Sequence, residues 1–219
     1  MSSEVDATFW DRASEKYSKS PISDPAGYER TLDATTKLLG PDDAVVELGC
    51  GTGGTAIHLA PGVRSCLGTD ISPKMIDIAD GKKDDKSADT ATPLGLKFQV
   101  ATAELLAADT ERFNAVVAFN YLHLVRDIPG TLRSIHTVLA PGGLFISKTP
   151  CLRDMRGGLL MFALLPALRA FGQAPYVGIF TVADLERQIA EAGFEITTTE
   201  FHDSGGKKSR PFIVAKKLE

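Results

Sequence analysis

Short apolar runs rich in β-branched residues alternate along the chain with longer segments whose apolar residues recur at helical spacing. The runs predicted to be strands are AVVEL (44–48), SCLGTD (65–70), LKFQV (96–100), FNAVVAFN (113–120), LFISKT (144–149), FEITTTEF (194–201) and RPFIVAKK (210–217). Strands alternating with helices are typical of a parallel α/β sheet. The last two runs are joined only by HDSGGKKS, which is too short for a crossover, so we expect an antiparallel hairpin.

Capping signals predict where the helices begin and end. We expect starts at Asp24–Pro25, at Ser72–Pro73, at Pro129, and at Thr181 with Asp184 forming a partial capping box; the expected ends are Gly40–Pro41, Gly81, the PGG that follows Leu139, and Gly193. An apolar helical region is expected at about 155–171, and the charged stretch 81–95 is expected to be a solvated loop. These helices can cover both faces of the sheet.

Composition limits the classes of protein that the chain can belong to. A length of 219 residues favours one domain over 1–219, and a net charge of −4 makes nucleic acid a poor expected partner. The three widely spaced cysteines indicate neither a disulfide framework nor a zinc site, so no metal is expected. The polar start of the chain does not look like a secretory signal, and the apolar stretch 159–168 is too short to cross a bilayer. We expect a cytoplasmic location.

The stretch AVVELGCGTGG (44–54) is the main functional signal in the chain. A strand followed by glycines and then a helix lets backbone approach a ligand closely and points unpaired N–H groups at it. Asp70 ends the next strand, where an acidic side chain can accept both hydroxyl groups of an adenosine ribose. The spacing of the glycines fits both GxGxG and the GxGxxG of dinucleotide-binding enzymes, so these features alone leave the cofactor open.

Glu47 separates the two alternatives, because it lies two residues before Gly49. A carboxylate at this position is expected to repel a diphosphate and to favour a cationic ligand. The chain also has no tyrosine with a lysine four residues later, which disfavours a nicotinamide-dependent reductase.

Five motifs in register resemble the class I S-adenosylmethionine-dependent methyltransferases, in particular the small-molecule branch that includes the quinone-biosynthesis methyltransferases. The matching segments are VVELGCGTG, GTDIS, ATAELL, FNAVVAFNYLHLVRD and LAPGGLFIS, and the resemblance covers about residues 24–217. It implies a Rossmann-like, mostly parallel sheet of seven strands with helices on both faces and one reversed strand in the C-terminal hairpin. It also implies methyl transfer from S-adenosyl-L-methionine, with S-adenosyl-L-homocysteine as product.

The resemblance assigns cofactor-binding roles to a set of positions. These are Glu47, Gly49, Cys50, Gly51, Gly53, Asp70, Ile71, Thr102, Ala103, Glu104, Asn120 and Tyr121. Gly49, Gly51 and Gly53 would border the methionine moiety and Asp70 would bind the ribose. Thr102 stands where relatives often carry an aspartate that binds the adenine amine, so that contact falls to a hydroxyl or is lost.

The acceptor side is less determined by the sequence. His123 follows the fourth strand and is the candidate general base, with a purely structural role as the alternative. His58 and His136 are expected to be structural and His202 to lie at the surface. Other candidate acceptor contacts are Tyr17 and Tyr28, in or beside an N-terminal lid segment (1–23), and Leu160 and Leu164, in an inserted cap (150–180).

We expect a small, apolar acceptor bound by that cap. A plain core helix, a peripheral membrane contact and a dimer interface are the other interpretations of the apolar residues, so the chain would be a monomer or a homodimer. The alternatives to methyl transfer are a non-catalytic S-adenosylmethionine-binding scaffold and, less favoured, an NAD(P)-dependent reductase.

Overall fold

The computed structural model describes residues 2–84, 95–155, 168–169, 172–206 and 208–218. The strands are β1 (Ala44–Leu48), β2 (Ser65–Asp70), β3 (Leu96–Val100), β4 (Phe113–Phe119), β5 (Leu139–Lys148), β6 (Phe194–Phe201) and β7 (Pro211–Lys217). The helices are α1 (Ser2–Lys19), α2 (Pro25–Thr36), α3 (Gly54–Leu59), α4 (Pro73–Lys83), α5 (Ala103–Ala107), α6 (Ile128–Val138) and α7 (Val182–Glu191). Single 3₁₀ turns follow α3, β4 and β5.

The strands form one seven-stranded sheet in the order β3-β2-β1-β4-β5-β7-β6. Neighbours from β3 to β5 pair in parallel, whereas β7 runs antiparallel to both β5 and β6. The predicted fold is therefore confirmed, including the reversed strand. The order of the strands reverses between β1 and β4, and the loops that leave such a point open a crevice at the carboxyl edge of the sheet.

Alternation along the strands creates two cores, one on each face of the sheet. Val46 and Leu48 of β1 pack on the face covered by α5, α6 and α7. Val45 packs on the opposite face beside Leu59 of α3. Because Glu47 is two residues from Val45, strand periodicity directs its side chain to the α3 face, beneath the helix that follows the glycines.

Caps hold the helix ends close to the predicted positions. Asp24 accepts a hydrogen bond from the Gly27 N–H at 3.0 Å, and Ser72 accepts one from Met75 at 3.1 Å. Thr181 and Asp184 form a complete capping box. Each cap fixes the residue at which its helix begins, at the carboxyl edge of the sheet or beside it.

Four expectations were wrong. Helix α2 ends at Thr36 and not at Gly40–Pro41, because the chain continues from there in tight turns in which the Leu38 and Leu39 N–H groups donate to carbonyls three residues back. Gly81 does not end α4, which continues to Lys83, since an exposed glycine in the last turn weakens a helix without breaking it. Leu139 belongs to β5 and not to α6, because it pairs with Phe113 across a bulge. His202 is buried, with Nδ1 3.0 Å from the Thr31 hydroxyl and its ring stacked on Phe212.

Some expectations concern parts of the chain that the structure does not describe. The candidate acceptor contacts Leu160 and Leu164 lie outside the described residues, as does most of the apolar region 155–171. In the parts of the chain that are described, no helix combines the length and the apolar character that crossing a membrane requires.

Candidate functional site

A cavity of about 520 Å³, here the first cavity, opens at the carboxyl edge of β1, β2 and β4. This volume lies in the ordinary range of small-molecule sites. Its walls come from the loops after β1 and β4, from the ends of β2 and β3, and from α1. The predicted residues that line it are Tyr17, Gly49, Gly51, Asp70, Ile71, Thr102, Glu104, Asn120, Tyr121 and His123.

The glycine loop between β1 and α3 has room for a ligand because its glycines adopt positive φ angles. Gly49 has φ of 66° and lies so close to the Tyr121 ring that a Cβ there would be 2.6 Å from Cδ2. Gly51 has φ of 53°, and a Cβ built on it would have only Tyr17 as a neighbour, at 3.5 Å. Gly49 is therefore required by packing, whereas Gly51 leaves open space above the loop.

Asp70 joins the end of β2 to the glycine loop. One carboxylate oxygen accepts a hydrogen bond from the Gly51 N–H at 3.0 Å, and the other accepts one from the Ser72 N–H at 2.9 Å. The Ile71 N–H is a third hydrogen-bonding neighbour of this carboxylate. Since a carboxylate has about four acceptor positions, the group retains capacity for a ligand in the cavity. Burial raises the pKa of Asp70, and the hydrogen bonds from Ser72 and Gly51 oppose that rise.

Glu47 is buried under the start of α3, with only 3% of its surface exposed. Its carboxyl is in hydrogen-bonding contact with the Ala56 N–H and the Thr55 hydroxyl, while Oε2 has no partner within the described residues. Burial raises the pKa of Glu47 to about 8, so the ligand-free protein holds this group mainly neutral at pH 7. The neutral carboxyl of the ligand-free protein does not exert the repulsion on a diphosphate that a permanent charge would exert. A cationic ligand would instead displace a proton from Glu47.

Asn120 and Tyr121 form the wall opposite the glycine loop. Asn120 has φ of 51°, and it is the one residue other than glycine with positive φ in the described part of the chain. Such left-handed backbone is tolerated best by asparagine and aspartate and occurs often at functional sites. The Tyr121 hydroxyl accepts a hydrogen bond from the Ala103 N–H, and this contact links the loop after β4 to α5.

Ile71, Thr102 and Glu104 line the far end of the first cavity. The Thr102 hydroxyl caps α5 by accepting a hydrogen bond from the Leu105 N–H at 3.4 Å. Glu104 Oε1 accepts a hydrogen bond from the Thr131 hydroxyl at 2.7 Å. Both side chains are therefore held in place, and the Thr102 hydroxyl retains its own proton for a second contact.

His123 follows β4 and contacts the hydroxyl of Thr149 twice. Thr149 Oγ1 accepts a hydrogen bond from the His123 backbone N–H at 3.2 Å and lies 3.0 Å from Nδ1. Thr149 is fully buried, and if its hydroxyl donates to Nδ1, the neutral imidazole carries its proton on Nε2. Burial, followed by the charge of Arg210, lowers the pKa of His123 to about 4.

Helix α1 covers the mouth of the first cavity. Trp10 and Tyr17 line the cavity, and Asp11 accepts hydrogen bonds from the Ser72 hydroxyl at 2.5 Å and the Lys74 N–H at 3.2 Å. Asp6 accepts two hydrogen bonds from Arg126, both at 2.9 Å. The Arg126 guanidinium also stacks on the Tyr176 ring, 4.6 Å from its centroid. The N-terminal segment is thus attached on both sides of the opening.

A second cavity, of about 990 Å³, lies on the other side of the glycine loop. Glu47, Cys50 and Tyr28 line it, together with segment 18–25 and the ends of β5 and β7. Burial raises the pKa of the Cys50 thiol and keeps it protonated, which disfavours a role as a nucleophile. Gly53 and Ala103 line neither cavity; a Cβ on Gly53 would meet the Phe98 ring at 2.7 Å, and Ala103 is fully buried.

Sequence reasoning missed several residues that line the cavities. They are Asp6, Trp10, Phe119, Arg126, Thr131, Lys148, Tyr176 and Arg210. Phe119 and Arg126 lie within the matching segment FNAVVAFNYLHLVRD, which assigned them no role. Most of the others come from elements distant in sequence from the glycine loop, so no local motif marks them.

The chain belongs to the methyltransferase domain family, whose sequence profile matches residues 23–199. The fold, the glycine loop and the acid at the end of β2 make it a class I S-adenosylmethionine-dependent methyltransferase by family, as the motifs predicted. In the described part of the chain, no group of three or more His, Cys, Asp or Glu side chains could hold a metal ion.

Curated relatives match most of this chain but only part of their own lengths. The mitochondrial arginine-hydroxylase NDUFAF5 of Danio rerio is 30% identical over 166 residues, which are 72% of this chain and 47% of that protein. A ubiquinone biosynthesis O-methyltransferase of Rhizobium etli is 28% identical over 155 residues, 70% of this chain and 60% of the relative. The chain thus spans about half the length of the curated relatives that it matches.

Solved structures share the fold. Magnesium protoporphyrin IX methyltransferase from Synechocystis PCC 6803, solved with bound S-adenosylhomocysteine, superposes with a TM-score of 0.69 at 19% identity. The match covers 99% of this chain and 97% of the other chain. This similarity shows the fold of the chain and says nothing about its acceptor.

Proposed function

We propose that this protein transfers the methyl group of S-adenosyl-L-methionine to a small acceptor bound beside the glycine loop. The observation that carries the proposal is the joint placement of Asp70 and the glycine loop in one cavity. Asp70 is positioned by Gly51 and Ser72 and retains acceptor capacity, which suits the hydroxyl groups of a ribose. Gly51 leaves the space that the methionine part of the cofactor needs.

The residues fit this cofactor along the whole first cavity. Ile71 and Thr102 supply an apolar surface and a hydroxyl at the end where an adenine would lie, and Asn120 and Gly49 border the opposite end. Glu47 lies behind the glycine loop with an unpartnered oxygen. A cation near Glu47 would favour its charged form, so the neutral carboxyl of the ligand-free protein is compatible with a sulfonium or ammonium group.

When bound, the cofactor supplies a methyl group on a sulfonium, so that an acceptor atom can form a bond to carbon as the carbon–sulfur bond breaks and its electron pair goes to sulfur. The chain's own residues then contribute alignment and the exclusion of water. Helix α1, with Trp10 and Tyr17 on the cavity, excludes water from one side. Asn120 and Tyr121 form the fixed wall of the other side.

His123 serves in this proposal as a hydrogen-bond donor to the acceptor. Its pKa of about 4 makes it a weak base at neutral pH, and donation from the Thr149 hydroxyl to Nδ1 would place the imidazole proton on Nε2. An N–H aimed into the cavity can orient an acceptor oxygen, and it leaves the removal of a proton to solvent or to an acceptor that is already ionised. The assignment as general base is therefore the weaker of the two interpretations.

The class of acceptor and the location of the protein are also part of this proposal. A small-molecule acceptor is favoured over nucleic acid by the net charge of −4. A cytoplasmic location stays a prediction, and the mitochondrial name of the NDUFAF5 relative offers a second location. That relative is also named a hydroxylase, so a reaction other than methyl transfer in this chain is the alternative to test, together with a silent cofactor-binding scaffold.

Asp70→Ala tests the proposal directly. The change removes the ribose acceptor and leaves the N–H groups of Gly51 and Ser72 unpaired, so we expect affinity for S-adenosylhomocysteine to fall about 100-fold or more in calorimetry. Asp77→Ala removes an exposed carboxylate on α4 and is the control, which should bind as the wild type does. Release of S-adenosylhomocysteine from S-adenosylmethionine, measured across phenols, quinols, carboxylic acids, thiols and amines, then tests turnover. Equal affinity in wild type and Asp70→Ala would contradict the proposed site.

A further inference from the structure

Arg210 lies where the two cavities meet. Five residues line both cavities, namely Tyr17, Gly49, Phe119, Asn120 and Arg210. Arg210 supplies the charge among them. It reaches this position because β7 is reversed: Lys148 at the end of β5 pairs with Phe212 near the start of β7. The residue just before β7 is therefore brought to the carboxyl edge of the parallel strands, beside the loop that carries Asn120.

The Arg210 guanidinium has no hydrogen bond or ion pair to any residue within the described ranges. The residue is nevertheless half-buried. It is also near His123, since its charge contributes to lowering the pKa of that imidazole. A partly desolvated guanidinium without a counter-charge is unfavourable, and five N–H donors in a planar fork remain available to a ligand.

Lys148 adds a second positive charge at the same edge. Its Nζ donates to the Thr31 hydroxyl at 2.6 Å and to the Gly27 carbonyl at 3.2 Å, which leaves one of its three protons unused. Burial lowers the pKa of Lys148, and the nearby charge of Arg210 lowers it further. The two cations therefore act on one another, and an anion between them would relieve the repulsion.

The acidic groups on this side of the molecule act on partners other than Arg210. Asp24 caps α2 and accepts hydrogen bonds from the backbone N–H and the hydroxyl of Ser204. Asp203 raises the pKa of Lys148 together with Asp24. Glu47, the remaining acid of the second cavity, has its pKa raised to about 8 by burial. No carboxylate within the described residues forms an ion pair with Arg210.

We infer that the acceptor carries a carboxylate and that Arg210 binds it where the two cavities meet, beside the glycine loop. This inference rests on the proposed function and names the acceptor class for the same site. One guanidinium fork can pair with two oxygens of either a carboxylate or a phosphate, so the amount of positive charge decides between them, and it favours the singly charged carboxylate. A phosphate dianion would require more charge than Arg210 and the single unused proton of Lys148 provide. The acceptor is then amphipathic, with its anionic end at Arg210.

The test compares benzoate with benzamide, and hexanoate with hexanamide, on the protein loaded with S-adenosylhomocysteine. We expect each acid to bind about tenfold or more tightly than its amide in ligand-observed NMR titrations. Arg210→Gln should abolish this preference, and Arg210→Lys, which keeps the charge but loses the fork, should restore it only in part. Arg133→Gln removes an exposed arginine on α6 and is the matched control, which should keep the full preference.

Equal binding of acid and amide by the wild type, or a preference that survives in Arg210→Gln, would overturn the inference. So would the absence of binding for both acids at tens of millimolar. These outcomes are distinct from a failure of the proposed function, because loading with S-adenosylhomocysteine is measured first, by calorimetry. If the protein binds S-adenosylhomocysteine but does not prefer the acids, the proposed function stands and the inference of a carboxylate on the acceptor is overturned.

Discussion

At the scale of single residues, Glu47 shows how local burial changes the meaning of a motif. From the sequence, the acid before the glycines is a negative charge that selects a cationic ligand. In the structure, strand periodicity directs it beneath α3, and burial raises its pKa to about 8. The carboxyl group is therefore mainly protonated in the ligand-free protein, and a cationic ligand can displace that proton.

Glu47→Gln tests this description through the pH dependence of stability. In the wild type the folded state keeps a proton that the unfolded state loses above pH 4.5, so the free energy of unfolding should fall by several kcal/mol as pH rises from about 4.5 to about 8. The neutral amide removes this component. Urea unfolding of the ligand-free protein at pH 5 and pH 8 measures it. Glu191→Gln, at an exposed site on α7, should keep the wild-type dependence, and identical pH slopes in Glu47→Gln and wild type would show that Glu47 is charged at neutral pH.

His123 titrates in the opposite sense. Its pKa is lowered to about 4 in the folded state, so protonation favours unfolding, and the stability present above pH 6.5 is lost as pH falls from 6.5 towards 4. An NMR titration of the imidazole C–H signals should show a midpoint below pH 5. Thr149→Val removes the hydroxyl from Nδ1 and should alter the tautomer seen in nitrogen chemical shifts. A midpoint between 6 and 7 would return His123 to the role of general base.

At the scale of elements, α1 is held over the first cavity by two polar attachments. Asp11 contacts the start of α4, and Asp6 contacts Arg126, whose guanidinium stacks on Tyr176. An N-terminal lid segment over 1–23 was expected, and a helix is present there. The attachments were not predictable, because each joins residues more than 60 positions apart.

Asp6→Asn should loosen the lid without removing it. A partly exposed ion pair contributes about 0.5–1 kcal/mol, so we expect S-adenosylhomocysteine to dissociate about two- to fivefold faster. Trp10, the single tryptophan of the chain, lines the cavity, and its fluorescence in stopped-flow displacement reports the rate. Glu191→Gln breaks an exposed ion pair on α7 and should leave the rate unchanged. If Asp6→Asn also leaves the rate unchanged, α1 does not control exchange.

At the scale of the whole molecule, local signals were sufficient for the sheet and insufficient for the cavity. Strands β1, β2, β3 and β6 begin and end at the predicted residues, because each is a short apolar or β-branched run with turn or cap residues at its borders. The start of β5 was missed because it depends on a bulged pairing with Phe113. The reversed hairpin was predicted, but Arg210 lies beside Lys148 because β7 is inserted between β5 and β6, which local spacing does not reveal.

In the site, too, some residues could be predicted from local motifs and others could not. Asp70 and the glycines could be predicted because strand, turn and strand follow one another within about 25 residues. Ala103 and Gly53 were placed in the site by resemblance, yet their side-chain positions are taken up by packing. The buried state of His202 follows from contacts with Phe212 of the same hairpin and with Thr31, which is distant in the chain.

The central claim is that the cavity at the switch point of the sheet binds S-adenosylmethionine and not a nicotinamide dinucleotide. Isothermal titration calorimetry of the purified protein with S-adenosylhomocysteine and, separately, with NADH and NADPH tests this most directly. We predict one molecule of S-adenosylhomocysteine bound per chain with micromolar affinity or better, and no binding of either dinucleotide in the same range. Binding of NADH or NADPH to a protein that ignores S-adenosylhomocysteine would contradict the account.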